Sequence, residues 1–599
     1  MHPSTRRTIT HLAILFVACA LCYFVGLTDH GVTNTQEATR LTAAREMQAR
    51  ADWILPTRQG DPYIAKPPVM YWIMIASAEL RGARVDLFDV RFTVALGGLL
   101  GVFATYFAGR VLLRDPYQPA LAPRAAFYGA LGLAGGILYA RSSRIGELDI
   151  LMVPTVVTAM ACIGAAWRSH VEHRKTLWWA VIVATLCSMI AALTKGPIPT
   201  AVIALGGFGA IVMESVFCDL PRSKIHTRIA QILAPLAAAA TLFITLPQVE
   251  NVKGVFGVAV HALVAGCLAW GLVRATEPAR AKRWLSAFAR THPVVIVGAG
   301  FGALWWWIAS YRVVAIREIG EQRMRELEQY EVQDNLRLLV PESPINNLEF
   351  LSYGLGAASI ACLIALFWLA RDKPRMTTGR WLCVGWLLLG LVLFSTMGKG
   401  VARYLTPLWP TVALLGGWWF ACALRDIPRT APGVRTWKVA AAGVLGISIL
   451  ANAWWYADGR DRFNADRSPR DFVRAMLEDD AIDPLRVGTF GFETPALDFY
   501  LGLDTHTGQQ ADYWAQDSKE DWRATPIERL FERLRDEPGA PPYHLIALDD
   551  TDDANRKFGD VRAMLDASGL AWSQTPVDGF PLWTRPPGST PVTLITIMP

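Results

Sequence analysis

The sequence predicts a polytopic α-helical membrane protein with a soluble α/β domain at its C-terminal end. Of the 599 residues, 52% are hydrophobic and only 18% are charged, whereas soluble domains carry about 25% charged residues. About thirteen stretches reach the length of roughly 20 mostly apolar residues that a membrane-spanning helix requires. The charge is also divided, with a net −11 in residues 457–599 and +17 in residues 1–456. These observations exclude a soluble enzyme and a small disulfide scaffold.

The predicted spans follow from apolar runs read along the chain. Segments 229–247 and 254–273 could also form one re-entrant pair, and we keep both interpretations open. In chain order the spans are 9–27, 91–113, 124–140, 149–167, 177–194, 198–215, 229–247, 254–273, 292–311, 350–370, 381–397, 403–423 and 438–456.

Basic residues in the short loops predict the orientation of these spans. Arg6 and Arg7 precede the first span, and clusters of Lys and Arg follow the fourth, sixth, eighth, tenth and twelfth. Because cytoplasmic loops carry an excess of Lys and Arg, the N-terminus is expected in the cytoplasm. The first span then acts as an uncleaved signal anchor. Segments 28–90, 141–148, 312–349, 398–402 and 457–599 face outward.

Two domains follow from this division: a transmembrane domain, 1–456, and an extracytoplasmic domain, 457–599. In the second, 487–492 and 544–549 have the composition of strands, and 527–536 and 560–567 that of helices. The domain carries no evident catalytic cluster. It could bind an acceptor or simply cap the membrane domain.

The outward loop 28–90 has the most informative sequence. Residues 37–48 have helical character with an apolar face at Leu41, Ala44 and Met47, and residues 69–80 form a second amphipathic stretch after Lys66-Pro67-Pro68. Amphipathic helices of this kind can lie in the membrane interface. The loop therefore predicts interfacial helices that cover a cavity at the outer surface.

Four motifs resemble those of GT-C glycosyltransferases, notably protein O-mannosyltransferases and bacterial aminoarabinose lipid A transferases. They are Q-E-A…R-E-M…A-D-W-I-L-P…G-D-P-Y-I-A-K-P-P-V-M-Y-W at 36–72, R-I-G-E-L-D at 144–149, L-T-K-G-P at 193–197 and S-x-x-x-K-x-x-x-R-Y-L-T-P-L-W-P at 395–410. They occur in the family's order and cover about residues 8–425. The resemblance implies transfer of a sugar from a polyprenyl-phosphate carrier to a lipid, protein or glycan acceptor at the outer face of a bacterial inner membrane.

Such a reaction needs a carboxylate base for the acceptor, and two residues are candidates. Glu37 is the first choice. The resemblance places a catalytic Asp immediately before it, but this chain has Gln36 there, and Gln cannot take a proton. Asp149 is the second candidate, to orient the acceptor or to share a divalent cation such as Mg²⁺ with Glu37. Glu147 is a weaker candidate. Two carboxylates do not establish a metal site, so the cofactor stays open.

A leaving lipid phosphate needs cations. Lys66 is the leading phosphate ligand, and Tyr63 could hydrogen-bond the donor or the acceptor. The further candidates lie at predicted outer ends of spans: Lys195, Lys399 and Arg403. Aminoarabinose transferases often have Glu before this first lysine, whereas this chain has Ala65, so the sugar, a hexose or a pentose, is not fixed.

Two alternatives to a transferase remain. A transporter or flippase for lipid-linked sugars would also have many spans, but it predicts an internal repeat and charges near the bilayer midplane. A non-catalytic relative that binds a lipid-linked sugar would explain Gln36.

Overall fold

The computed structural model describes most of the membrane part and the sheet of the C-terminal part. The described residues are 3–29, 31–32, 35–58, 61–173, 175–217, 224–249, 252–277, 284–316, 343–372, 376–396, 402–426, 443, 446–455, 470–478, 482–490, 497, 500–501, 503, 512–515, 525–548, 561–577 and 592–599. They form two compact units. The first holds residues 1–25, 64–70 and 92–454, and the second holds 26–63, 71–91 and 455–599. The domain boundary at 456 stays a prediction.

The first unit is built from long apolar helices. It begins with α1 (Pro3–Cys19, continued by a π-helical turn, Ala20–Phe24) and includes most of α4 (Leu87–Leu112). The helices that follow are α5 (Leu121–Ala134), α6 (Ile137–Ser142), α7 (Met152–His173), α8 (Trp178–Lys195), α9 (Pro197–Phe217), α10 (Lys224–Thr245), α11 (Val252–Ala275), α12 (Ser286–Ile316), α13 (Ser343–Tyr353), α14 (Ala357–Asp372), α15 (Thr378–Thr396) and α16 (Trp409–Asp426). Two 3-10 segments, Leu148–Leu151 and Ala402–Leu408, precede α7 and α16.

Within the described residues, ten helices are long and apolar enough to cross a membrane, and eleven if one bent pair counts as a span. The predicted polytopic helical fold is confirmed, and the protein is an integral membrane protein. The predicted span 124–140 is instead two short helices, α5 and α6, which break at Gly135 and Gly136. The predicted span 350–370 overlaps a pair that bends by 115°. Gly356, with φ +56°, lies in that break.

The second unit begins with the segments of the predicted interfacial loop. Helix α2 (Thr35–Arg50) is followed by a hairpin of β1 (Thr57–Arg58) and β2 (Asp61–Pro62), then by α3 (Val69–Leu80) and the start of α4 (Leu87–Leu112). Both predicted helices of the loop, 37–48 and 69–80, are therefore confirmed as helices.

The C-terminal part of the second unit is a six-stranded mixed sheet with helices. Its elements are α17 (Arg470–Leu477), β3 (Val487–Phe490), β4 (Asp512–Ala515), β5 (Thr525–Pro526), α18 (Glu528–Asp536), β6 (Tyr543–Leu548), α19 (Val561–Ser568), β7 (Ala571–Val577) and β8 (Val592–Met598). The strand order is β5-β4-β3-β6-β8-β7. Neighbouring strands are parallel from β5 through β4 and β3 to β6. The pairs β6–β8 and β8–β7 are antiparallel. The predicted strands and helices of this region are confirmed.

Side chains on both faces of this sheet are buried. On β6, Tyr543, Leu545 and Ala547 pack into one apolar core with α18 and α19, while Ile546 packs into a second core with α17. Because successive residues of a strand point to opposite faces, one strand supplies both cores. The region thus has the two-sided packing of an α/β domain.

Candidate functional site

A carboxylate and a lysine from two predicted motifs meet in the first unit. Asp149 lies in the 3-10 segment before α7, is 4% exposed, and forms an ion pair with Lys195, the last residue of α8. Gly196 ends that helix with φ +78° and ψ −148°, a conformation open essentially to glycine alone. Pro197 then begins α9, as is common at the first helical position. This L-x-K-G-P turn aims the lysine at Asp149.

A second ion pair lies beside the first. Glu147 is 4% exposed, and its Oε1 is 3.5 Å from Arg403 and 3.9 Å from Arg141. The ring of Tyr404 connects the two pairs, because its centroid is 4.8 Å from Lys195 Nζ and 5.6 Å from the Arg403 guanidinium. The motif at 144–149 and the motif at 395–410 therefore lie together in the structure.

Lys66 also belongs to this cluster, which we call the cation cluster. The charges of Lys66 and Arg403 both act on the buried ammonium group of Lys195. The cluster combines two carboxylates with four cationic side chains, so its net charge is positive. Its members are Lys66, Arg141, Glu147, Asp149, Lys195 and Arg403. A positive net charge of this kind suits the binding of a phosphate group.

Trp306 holds two arms of the cation cluster together. Its indole N–H donates to the carbonyl of Ile64, two residues before Lys66, at 3.1 Å. Its ring also lies over Gly196, where an added Cβ would stand 2.9 Å from Cη2. From the sequence, Trp306 is one of three consecutive tryptophans, 305–307, that fit an aromatic belt at the outer end of a span. The glycine of the L-T-K-G-P motif is visible in the sequence, but its contact with Trp306 is not.

Glu37 lies in the second unit and has a well-defined partner. It is 1% exposed on α2, and Arg91 of α4 donates to both of its oxygens, at 2.9 and 3.1 Å. Arg91 also donates to the carbonyls of Leu27 and Gly31, at 3.0 and 2.9 Å. This bidentate pair fixes the start of α2 against the segment before it. Arg91 thereby occupies one acceptor position on each oxygen of Glu37.

Tyr63 also lies in the second unit, bound to Arg40. Arg40 donates to the hydroxyls of Tyr63 at 2.8 Å and Tyr71 at 3.3 Å, and to Gln36 Oε1 at 2.9 Å. Burial acts to lower the pKa of Arg40, but the two tyrosines outweigh it and raise the pKa above its usual value. Arg40 is therefore a fully charged guanidinium, and from the sequence it is only a weak candidate for a phosphate ligand.

Two further predictions concern Lys399 and a divalent cation. Lys399 lies outside the described residues. Among the residues that the structure does describe, no group of three or more His, Cys, Asp or Glu could hold a metal ion. The divalent cation stays a prediction.

Comparison with known proteins finds aminoarabinose transferases among the relatives of this chain. No family model matches the chain. It is 28% identical over 184 residues to an undecaprenyl phosphate-α-4-amino-4-deoxy-L-arabinose arabinosyl transferase of Pseudomonas aeruginosa, covering 31% of this chain and 32% of that protein. It is 25% identical over 245 residues to a second such transferase of Pseudomonas fluorescens, covering 41% and 40%. The matched segments thus span well under half of these relatives.

A solved structure matches almost the whole chain. ArnT from Cupriavidus metallidurans, crystallised with undecaprenyl phosphate, superposes with a TM-score of 0.58 at 15% sequence identity, covering 98% of this chain and 97% of that one. At this identity the likeness concerns the fold. In sequence and in fold the chain is therefore similar to the aminoarabinose transferases, and the predicted resemblance to GT-C glycosyltransferases is confirmed.

Proposed function

We propose that the protein is a glycosyltransferase that moves a sugar from a polyprenyl-phosphate carrier to a lipid, protein or glycan acceptor. The observation that carries this proposal is the cation cluster, where Lys195 and Arg403 pair with the buried carboxylates Asp149 and Glu147. The charge of Lys66 also acts on Lys195 there. The names of the relatives supply the carrier chemistry. In this proposal the reaction takes place at the outer face of a bacterial inner membrane, with residues 457–599 extracytoplasmic.

The reaction joins an acceptor oxygen or nitrogen to C1 of the sugar while the bond from C1 to the phosphate oxygen breaks. The carrier leaves as polyprenyl phosphate, whose charge Lys66, Lys195 and Arg403 stabilise. The acceptor proton passes to a carboxylate. Because the two carboxylates and the side chain of Lys195 are largely buried, charge interactions with them are stronger than they would be in water.

Asp149 is the better placed of the two candidate bases. Within the described part of the chain it accepts one hydrogen bond, from Lys195 to Oδ1, so Oδ2 has no donor there. Both oxygens of Glu37, in contrast, already accept hydrogen bonds from Arg91. We therefore assign the proton to Asp149 and retain Glu37 as a second candidate, to be tested separately. The sugar remains a hexose or a pentose.

The test is transfer from labelled polyprenyl-phosphate sugars by the purified protein in nanodiscs. Asp149→Asn is expected to lower kcat by about 10²–10⁴-fold, the usual contribution of a general base, with little change in donor binding. Glu528→Gln, an exposed carboxylate on α18, is the matched control and should act like the wild type. A folded wild-type protein that neither transfers nor hydrolyses any donor contradicts the proposal.

A further inference from the structure

Arg40 is a buried cation with neutral hydrogen-bond partners. Its side chain is 1% exposed, and its three hydrogen bonds go to two tyrosine hydroxyls and one amide oxygen. Nε has no partner among the described residues. A buried charge without an opposite charge costs several kcal/mol. A protein that keeps such a group has a use for its charge.

The nearest carboxylates along α2 do not neutralise Arg40. Glu37, three residues earlier, has both oxygens bound by Arg91. Glu46, on the later part of the same helix, accepts from the hydroxyl of Thr57. In the described part of the second unit, therefore, no carboxylate forms a hydrogen bond or an ion pair with Arg40.

Two of the three hydrogen-bond partners of Arg40 are partly exposed. Tyr71 is buried, whereas Gln36 and Tyr63 are only half-buried. Because the Tyr63 hydroxyl accepts from Arg40, its own O–H is directed elsewhere, and no described residue accepts it. The charge of Arg40 polarises this hydroxyl and makes it a stronger donor. The accessible side thus presents a hydrogen-bond donor backed by a positive charge.

We infer that Arg40, Tyr63 and Gln36 form a subsite for an oxyanion carried by the substrate, a carboxylate on the transferred sugar. The inference rests on the proposed function and extends it to the substrate class. Charge-assisted hydrogen bonds to an oxyanion are about twice as strong as neutral ones. An ammonium group would meet a like charge here, so the subsite disfavours a cationic amino sugar such as the one in the names of the matched relatives.

The experiment measures equilibrium binding to the full-length protein in nanodiscs, so it does not depend on turnover. The probes are polyprenyl phosphate alone and its hexuronate, neutral hexose and aminopentose conjugates. Arg40→Gln is expected to weaken the binding of the hexuronate conjugate by roughly tenfold. A loss confined to the hexuronate supports the subsite. An equal loss for all four probes overturns it, because the phosphate is common to all of them.

A second variant and a control keep the test independent of folding. Tyr63→Phe keeps the ring and removes the hydroxyl, so it should weaken the binding of the hexuronate conjugate by a few-fold. Arg529→Gln, exposed on α18, should bind all four probes like the wild type. Unchanged binding of every probe by folded Arg40→Gln and Tyr63→Phe, or tighter binding of the aminopentose conjugate than of the hexuronate by the wild type, overturns the inference. Selective binding of the hexuronate conjugate without any sugar transfer would instead contradict the proposed function alone.

Discussion

Two buried arginines of the second unit, Arg91 and Arg40, show how a structural charge differs from a functional one. Both are at most 2% exposed, and both make several hydrogen bonds. Arg91 contacts a carboxylate and two carbonyls, so its charge is compensated within the fold. Among the residues that the structure describes, Arg40 contacts two hydroxyls and an amide, so its charge is solvated there but meets no carboxylate.

The difference teaches that the number of hydrogen bonds does not reveal the role of a buried charge. A compensated pair stabilises the fold, and removing one member leaves the other charge exposed to a low dielectric. An uncompensated cation already carries that cost, so its removal should affect ligands more than folding. The comparison therefore predicts opposite phenotypes for the two arginines.

Arg91→Met is expected to have the largest effect. It leaves Glu37 as a buried carboxylate without its guanidinium, which should cost about 3–5 kcal/mol of stability. The measurement is the thermal unfolding midpoint of the purified protein, followed by tryptophan fluorescence. Arg529→Met serves as the exposed control and should unfold like the wild type. A wild-type midpoint for Arg91→Met would mean that the pair does not stabilise the fold.

Glu37→Gln sharpens the comparison, because it separates a structural role from a catalytic one. The single variant leaves Arg91 uncompensated and is expected to lower both the unfolding midpoint and the activity. The double variant Glu37→Gln/Arg91→Gln replaces the ion pair by two neutral amides and should recover much of the stability. If transfer returns with it, Glu37 is structural. If the double variant is well folded but inactive, the general base is Glu37 rather than Asp149.

Trp306→Phe should have the smallest effect of these substitutions. It keeps an aromatic ring over Gly196 but loses the hydrogen bond to Ile64, which is worth about 0.5–1.5 kcal/mol. Because Trp306 acts through Lys66 and Lys195, we expect KM for the donor to rise up to about tenfold, with kcat little changed. Trp307→Phe, 71% exposed, is the control. An equal rise in both variants would show a general loss of packing.

The sequence was informative about residues whose chemistry is local. The L-x-K-G-P turn identified Lys195, and the motif at 144–149 identified Asp149, because helix ends and turns depend on neighbouring residues. The break between α5 and α6 was missed, although two adjacent glycines marked it and such pairs commonly interrupt helices.

Partnerships across the chain could not be predicted in this way. Glu37 and Arg91 are 54 positions apart, and Trp306 and Ile64 are 242 apart. Such pairs arise from tertiary packing, and no local pattern in either segment identifies the other. Arg40 remained a weak candidate for the same reason, since its neutral surroundings become visible only when Tyr63 and Tyr71 are brought to it.

The most direct measurement compares the thermal unfolding of Arg40→Gln and Arg91→Gln, each with and without a saturating polyprenyl-phosphate hexuronate. A ligand that binds only the folded state raises its stability. Without ligand, Arg40→Gln should unfold near the wild-type temperature and Arg91→Gln well below it. With ligand, the midpoint should rise for the wild type and for the folded fraction of Arg91→Gln, but much less for Arg40→Gln. Equal destabilisation of the two variants, with a full ligand-induced rise in Arg40→Gln, would contradict the account.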